Sequence, residues 1–279
     1  MPVVEANGTS TYYEEYGEGK PLVFVHGANS DHQIGAEQLR PLSDEYRLIV
    51  YDLRGHGQTD GPTRESYPID LYAEDLTALI DALELENPVV CGLSLGGMVG
   101  YRFAARYPDE LSALVTVGAP TPRTFSLRER LYRVEFTKLI TPLMGNRRVI
   151  EGITWAFEQL SSETESVDLD DIERIRESHP CENTETDPSE RARMMRGVQA
   201  YIGSSVDWYR VDVPVLALYG ENEPFAERHA EHVDSVLDRC RVAEIPDASH
   251  NSHVDNPEFI VERIRRFHAE HARPASAES

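Results

Sequence analysis

At 279 residues, with 40% hydrophobic and 8% aromatic side chains, the chain is long enough to bury a sizeable core. Its formal net charge of −22, from 49 acidic against 27 basic residues, argues against nucleic acid or an anionic membrane as a partner. No run nears the roughly 20 apolar residues that a membrane span needs, and Met1-Pro2-Val3-Val4-Glu5 lacks the basic and apolar regions of a signal peptide, so a cytoplasmic protein is expected. Cys91, Cys181 and Cys240 are widely scattered, without the spacing of a disulfide framework or a zinc site, and no metal is expected.

In chain order, Val3–Glu5 and Thr11–Glu15 around Asn7-Gly8 predict an opening hairpin. Pro21–Val25 (PLVFV) is a continuous apolar run, as in a strand buried on both faces, and Tyr46–Tyr51 (YRLIVY) is another. Asp70–Leu85 carries Leu71, Leu76, Leu79, Ile80 and Leu83 at helical spacing. Strand Pro88–Leu93, a helix from Leu95 to about Arg106 and strand Leu111–Val117 follow. From about Thr121 to Trp208 the alternation stops in favour of helices and loops, with helix starts at Ser126-x-x-Glu129 and Asp187-Pro188-x-Glu190 and an acidic stretch, Ser161–Thr186, between them. Strand Val213–Tyr219, helix Phe225–Leu237, strand Arg241–Ile245 and helix Pro257–His271 close the pattern, and Ala272–Ser279 reads as a frayed tail. Repeated strand–helix alternation predicts an α/β fold: a mostly parallel sheet flanked by helices, with its site at the carboxyl edge of the strands. The expected division is a core of residues 1–120 and 209–279 and a helical cap over 121–208.

Chemistry concentrates in Gly92-Leu93-Ser94-Leu95-Gly96-Gly97, a G-x-S-x-G sequence between a strand and a helix. Such a turn exposes the serine hydroxyl and aims helix N–H groups at a developing oxyanion. A serine hydroxyl is a weak nucleophile and needs a base and an orienting acid, which in this arrangement follow in the order serine, acid, histidine. Tyr219-Gly220-Glu221-Asn222-Glu223-Pro224 and Pro246-Asp247-Ala248-Ser249-His250 each follow a strand. His250 is the expected base and His253 its rival; Glu221 and Glu223 both stand where the acid belongs. The loop Val25-His26-Gly27-Ala28-Asn29 is placed to give a second oxyanion donor through the Ala28 N–H, paired with that of Leu95; His26 is expected to brace the loop, and Gly27 to let backbone approach closely. Tyr51–Gly57 lacks the G-x-x-x-x-G-K-[ST] of a phosphate loop, and Asp52 and Arg54 are read as bracing neighbouring loops. Phe136, Trp155, Phe157, Met194, Met195 and Tyr201 are candidate lining for a capped pocket, though side chains of these types in helices are more often simply core.

PLVFVHGAN, YDLRGHGQT, CGLSLGG, PVLALYGENEP and DASHNSHVDNPEFI, in that order over about residues 10–120 and 210–270, closely resemble the capped serine hydrolases of the α/β-hydrolase fold superfamily. The resemblance implies a sheet of the eight-stranded type, Ser94 as nucleophile, Glu223 as acid, His250 as base, and the Ala28 and Leu95 amides as oxyanion hole, with no cofactor. Most relatives carry aspartate at the acid position, whereas this chain has Glu223, with Glu221 as the fallback. Serine at position 94 argues against haloalkane dehalogenases and epoxide hydrolases, whose nucleophile is aspartate. The look is that of small-ester or lactone hydrolases such as enol-lactonases and arylesterases, with cofactor-free perhydrolases and lyases sharing the same residues, and a ligand-binding protein with little turnover as the rival outside enzymes. The acid-rich, lysine-poor composition, with Lys20 and Lys138 the only lysines, resembles that of halophilic archaeal proteins.

Overall fold

The computed structural model describes residues 2–61, 64–122, 187–223 and 226–271. Eight strands form one sheet in the order β1-β2-β4-β3-β5-β6-β7-β8: β1 Val3–Ala6, β2 Thr9–Tyr16, β3 Lys20–Val25, β4 Tyr46–Tyr51, β5 Val89–Leu93, β6 Ala113–Val117, β7 Val215–Gly220 and β8 Cys240–Ile245. The β1–β2 and β2–β4 pairs are antiparallel and the remaining pairs, from β4–β3 to β7–β8, are parallel. The expected hairpin closes through Asn7 and Gly8, both at positive φ (47° and 68°), as a two-residue turn matched to strand twist demands.

The helices are α1 His32–Gln38, α2 Ile69–Ala82, α3 Leu95–Arg106, α4 Pro188–Ile202, α5 Ala226–Val236, the one-turn α6 Ser252–Asp255 and α7 Pro257–His271. Each parallel strand is apolar throughout because alternate residues serve opposite layers. Val23, Val25, Ile49, Tyr51 and Val90 pack with α2, α3, α4 and α5, while Leu22, Phe24, Leu48, Val50 and Cys91 pack with α7 and the flank of α1. Among the described residues no helix is long and apolar enough to cross a membrane.

Of the expected insertion, 123–186 lies outside the described residues, and with it Phe136, Trp155, Phe157 and the Ser126-x-x-Glu129 start. At the second start, the Asp187 carboxylate accepts from the Ser189 N–H and opens α4. That helix lies against the core: Met194 and Tyr201 are buried within it, Met195 packs against it, and the Tyr67 N–H donates to the Arg193 carbonyl (3.1 Å).

Candidate active site

Ser94 sits between the end of β5 and the start of α3 with φ 49° and ψ −105°, a left-handed conformation that L residues avoid. Holding a non-glycine residue there costs on the order of 1–3 kcal/mol, which neighbouring contacts must offset. Its N–H donates to the Val117 carbonyl (2.8 Å), and its carbonyl accepts from Met98 N–H (3.1 Å). A Cβ at Gly96 would lie 1.9 Å from the Val25 carbonyl oxygen, so only glycine lets α3 begin this close to the end of β3.

Serine at the first position of a helix ordinarily accepts from the helix's own N–H groups. Ser94 makes no such capping bond. Its Oγ instead lies 3.0 Å from His250 Nε2, and His250 Nδ1 lies 2.5 Å from Glu223 Oε1. Three groups from separate parts of the chain thus form one hydrogen-bonded series at the carboxyl edge of the sheet. The other Glu223 oxygen accepts from the Gly220 N–H (3.3 Å), and the Glu223 side chain is only 7% exposed. Beneath the pair runs Gly118, at φ 56°, where a Cβ would crowd both Glu223 oxygens (3.2 and 3.3 Å) and His250 Nδ1 (3.3 Å).

The rivals fall elsewhere. Glu221 turns outward and accepts from the Asp247 N–H (2.9 Å). His253 is pushed down to about 4 by burial and the neighbouring His250, and its Nδ1 has no hydrogen-bond partner among the described residues. Asp255 has a part that the sequence reading did not give it. One of its oxygens accepts from both the Ser249 N–H (2.8 Å) and Ser249 Oγ (2.7 Å), so it holds the loop that presents His250. Only the spacing Ser249-x-x-x-x-x-Asp255 hints at this, and such spacings are common.

On the opposite flank lies the loop after β3. Buried His26 accepts from the Leu53 N–H through Nε2 (3.0 Å), so Nδ1, 2.7 Å from the Gly27 carbonyl, carries the proton and donates. Burial holds this imidazole well below the ordinary histidine range, which keeps it neutral. The bracing expected of His26 is therefore a pair of backbone hydrogen bonds. Gly27 departs from expectation: a Cβ there would meet Leu93 only at 3.6 Å, an ordinary contact, and the close backbone approach belongs to Gly96. Ala28 lies in the same loop, half-buried, and Leu95 opens α3.

Asp52, fully buried, accepts from the His32 N–H (2.7 Å) and Gln58 N–H (2.8 Å) and bonds His32 Nδ1 (2.8 Å). Arg54 makes a two-pronged pair with Asp75 (2.8 and 2.5 Å) and donates to the Asn7 carbonyl (3.1 Å), joining α2 to the opening hairpin. Asp31, His32 and Asp52 could offer ligand atoms within 4.8 Å of one another. Their oxygens are already engaged by Gln33 N–H, His32 and Gln58 N–H, which suits a brace better than a metal centre.

An α/β-hydrolase-fold family model matches residues 20–139. A putative 2-succinyl-6-hydroxy-2,4-cyclohexadiene-1-carboxylate synthase of Bacillus subtilis is 30% identical over 250 residues, 88% of this chain and 89% of that protein. Epoxide hydrolase 4 of Homo sapiens is 25% identical over 296 residues, 97% of this chain and 78% of that protein. The solved structure of a thermophilic esterase from Thermogutta terrifontis superimposes with a TM-score of 0.73 at 23% identity, covering 98% of this chain and 100% of that one. With its sheet, strand order and serine turn in place, the chain belongs to the α/β-hydrolase fold family.

Proposed function

We propose that the protein is a serine hydrolase that cleaves a small carboxylic ester, lactone or thioester through an acyl-enzyme. The observation that carries the reading is the unbroken series Ser94 Oγ–His250–Glu223. In this mechanism His250 Nε2 removes the Ser94 proton as Oγ attacks the carbonyl carbon, and Glu223 holds the imidazole through Nδ1–H and stabilises its charged form. The carbonyl oxygen becomes an oxyanion, received by the Ala28 and Leu95 N–H groups. The imidazolium then protonates the leaving alcohol or thiol, and His250 activates water to release the acid. No metal or cofactor enters this scheme.

Residues 121–208 are proposed to form a cap over this edge, the rest of the chain being the core. The acidic, lysine-poor surface supports a protein adapted to strong salt, where a Debye length of about 3 Å at 1 M screens carboxylate repulsion. Free Cys91 and Cys240 suit a cytoplasmic setting. A panel of aryl esters, lactones and thioesters tests the reaction class: turnover is expected on at least one class, with Ser94→Ala losing about 10⁴-fold or more. Retention of most turnover by that variant would overturn the reading.

A second reading has support from the whole-length relative named as a synthase. There His250 would move a proton on a substrate with no acyl-enzyme formed. Rapid mixing with an activated ester separates the two, because only the acyl-enzyme route gives a burst of leaving group equal to the enzyme concentration.

A further inference from the structure

The loop that follows β6, Gly118-Ala119-Pro120-Thr121, carries no titratable side chain. It nevertheless lies against each part of the series. The Val117 carbonyl, just before it, accepts from the Ser94 N–H (2.8 Å). Gly118 runs beneath the Glu223–His250 pair, and a Cβ at Gly97, in the first turn of α3, would lie 2.4 Å from the Ala119 Cβ. A shift of this loop therefore disturbs the distances between Ser94, His250 and Glu223.

The sheet holds only the start of this loop, where the Gly118 N–H donates to the Leu218 carbonyl (2.8 Å). Further along, two side chains from other elements meet its backbone. The Tyr219 hydroxyl, at the end of β7, donates to the Ala119 carbonyl (3.1 Å). His229, on α5, accepts from the Thr121 N–H through Nδ1 (3.2 Å), which puts its own proton on Nε2. The same Nδ1 lies 2.9 Å from Thr121 Oγ1. All four residues are buried, and the Tyr219 and His229 rings stack with centroids 6.4 Å apart and planes 18° from parallel. Away from water, losing either support leaves a backbone group unsatisfied, at a cost that the loop can relieve only by moving. Tyr219 also directly precedes Gly220, whose N–H donates to the Glu223 carboxylate (3.3 Å) and whose carbonyl accepts from the Glu223 N–H (3.0 Å).

We propose that Tyr219 and His229 are positioning residues for the reaction: stacked on each other, they fix residues 118–121 and so keep Glu223 and His250 in register with Ser94. The inference rests on the reading of Ser94, His250 and Glu223 as the reacting series. Neither side chain touches the reacting atoms; each acts through the loop. Because a misplacement of about 1 Å among reacting groups can cost on the order of 10²-fold in rate, a loop held by two side-chain hydrogen bonds is enough to matter.

Steady-state ester turnover and proton NMR, on the wild type, Tyr219→Phe, His229→Leu and the double variant, test this well below each Tm. Each single variant is expected to lose about tenfold in kcat with little change in KM. The double variant should lose about as much as one single variant, since both supports hold one loop. His229→Asn, whose amide oxygen can stand in for Nδ1 as acceptor, should recover most of the loss. As a control, Tyr72→Phe removes another buried hydroxyl that donates to a backbone carbonyl, that of Arg54 (3.4 Å), and should leave kcat unchanged. The proton between His250 Nδ1 and Glu223 Oε1 is read separately as a downfield resonance, identified by its loss in Glu223→Gln. It is expected to move upfield in Tyr219→Phe and His229→Leu but not in Tyr72→Phe. An unchanged kcat and resonance in both variants would overturn the proposal, and so would an equal loss in Tyr72→Phe, which would mean general loosening. A wild type without turnover would overturn the hydrolase reading alone, and the resonance would then decide whether the two side chains hold the pair.

Discussion

A serine that begins a helix normally spends its hydroxyl on its own helix, and a serine at positive φ is normally a glycine or asparagine. Ser94 does neither, and both departures aim Oγ at His250. The sequence shows this position plainly, because G-x-S-x-G between a strand and a helix has few other uses. The proposed acid is less legible: Glu221 and Glu223 both follow β7, and only the family resemblance puts Glu223 ahead of Glu221. What separates them is the turn in which the Glu223 N–H donates to the Gly220 carbonyl (3.0 Å), folding residue 223 back beneath His250 and leaving Glu221 on the outer loop. Glu223→Gln is accordingly expected to lower kcat by about 10³-fold or more, and Glu221→Gln to leave it within about threefold, in steady-state assays. The reverse pattern would exchange their roles. Gly118→Ala puts a methyl against both members of the Glu223–His250 pair at a left-handed position, so kcat should fall by about tenfold or more and Tm should drop as well.

At the scale of elements, the parallel strands are legible because burial on both faces leaves an uninterrupted apolar run, and β4, α3 and α7 match the sequence reading closely. Helix α1 was not legible. HQIGAEQ has no apolar stripe, and what holds it is the Asp31 cap together with the contact of His32 to Asp52, twenty residues away. Tertiary contact likewise decides Met194 and Tyr201, which face the core; composition alone cannot tell a core side chain from a pocket wall. The Arg54–Asp75 pair is a join of the same kind, with side chains 1% and 9% exposed. Removing one partner leaves a buried charge uncompensated, so Arg54→Met should lower unfolding free energy by about 3–5 kcal/mol in denaturant titrations. An apolar double variant, Arg54→Met with Asp75→Leu, should recover much of that loss. Equal losses in the single and double variants would mean that the pair matters for packing rather than for charge.

Over the whole molecule, a net charge of −22 acts against compactness, and salt relieves it. Thermal midpoints are expected to rise from dilute buffer to multimolar sodium chloride; a fall would remove the proposed adaptation to strong salt. Acid has a more specific effect through His26 and His56, whose imidazoles burial holds below the ordinary range. As pH falls through about 6.5, the unfolded chain takes up protons that the folded chain refuses. Each such group then removes up to about 1.4 kcal/mol of stability per pH unit, a contribution fully present above that pH. His26→Asn should therefore show a shallower loss between pH 7 and pH 5 than the wild type in parallel denaturation curves, and identical slopes would contradict the neutral assignment. The fold's largest consequence is that residues 94, 223 and 250 meet at one edge of the sheet. The most direct measurement is mass spectrometry of the protein after reaction with a fluorophosphonate. The account predicts one adduct per chain, mapped to Ser94, lost in Ser94→Ala and formed about 10⁴-fold more slowly in His250→Ala. An adduct on another residue, or labelling of Ser94 at full speed without the imidazole, would contradict it.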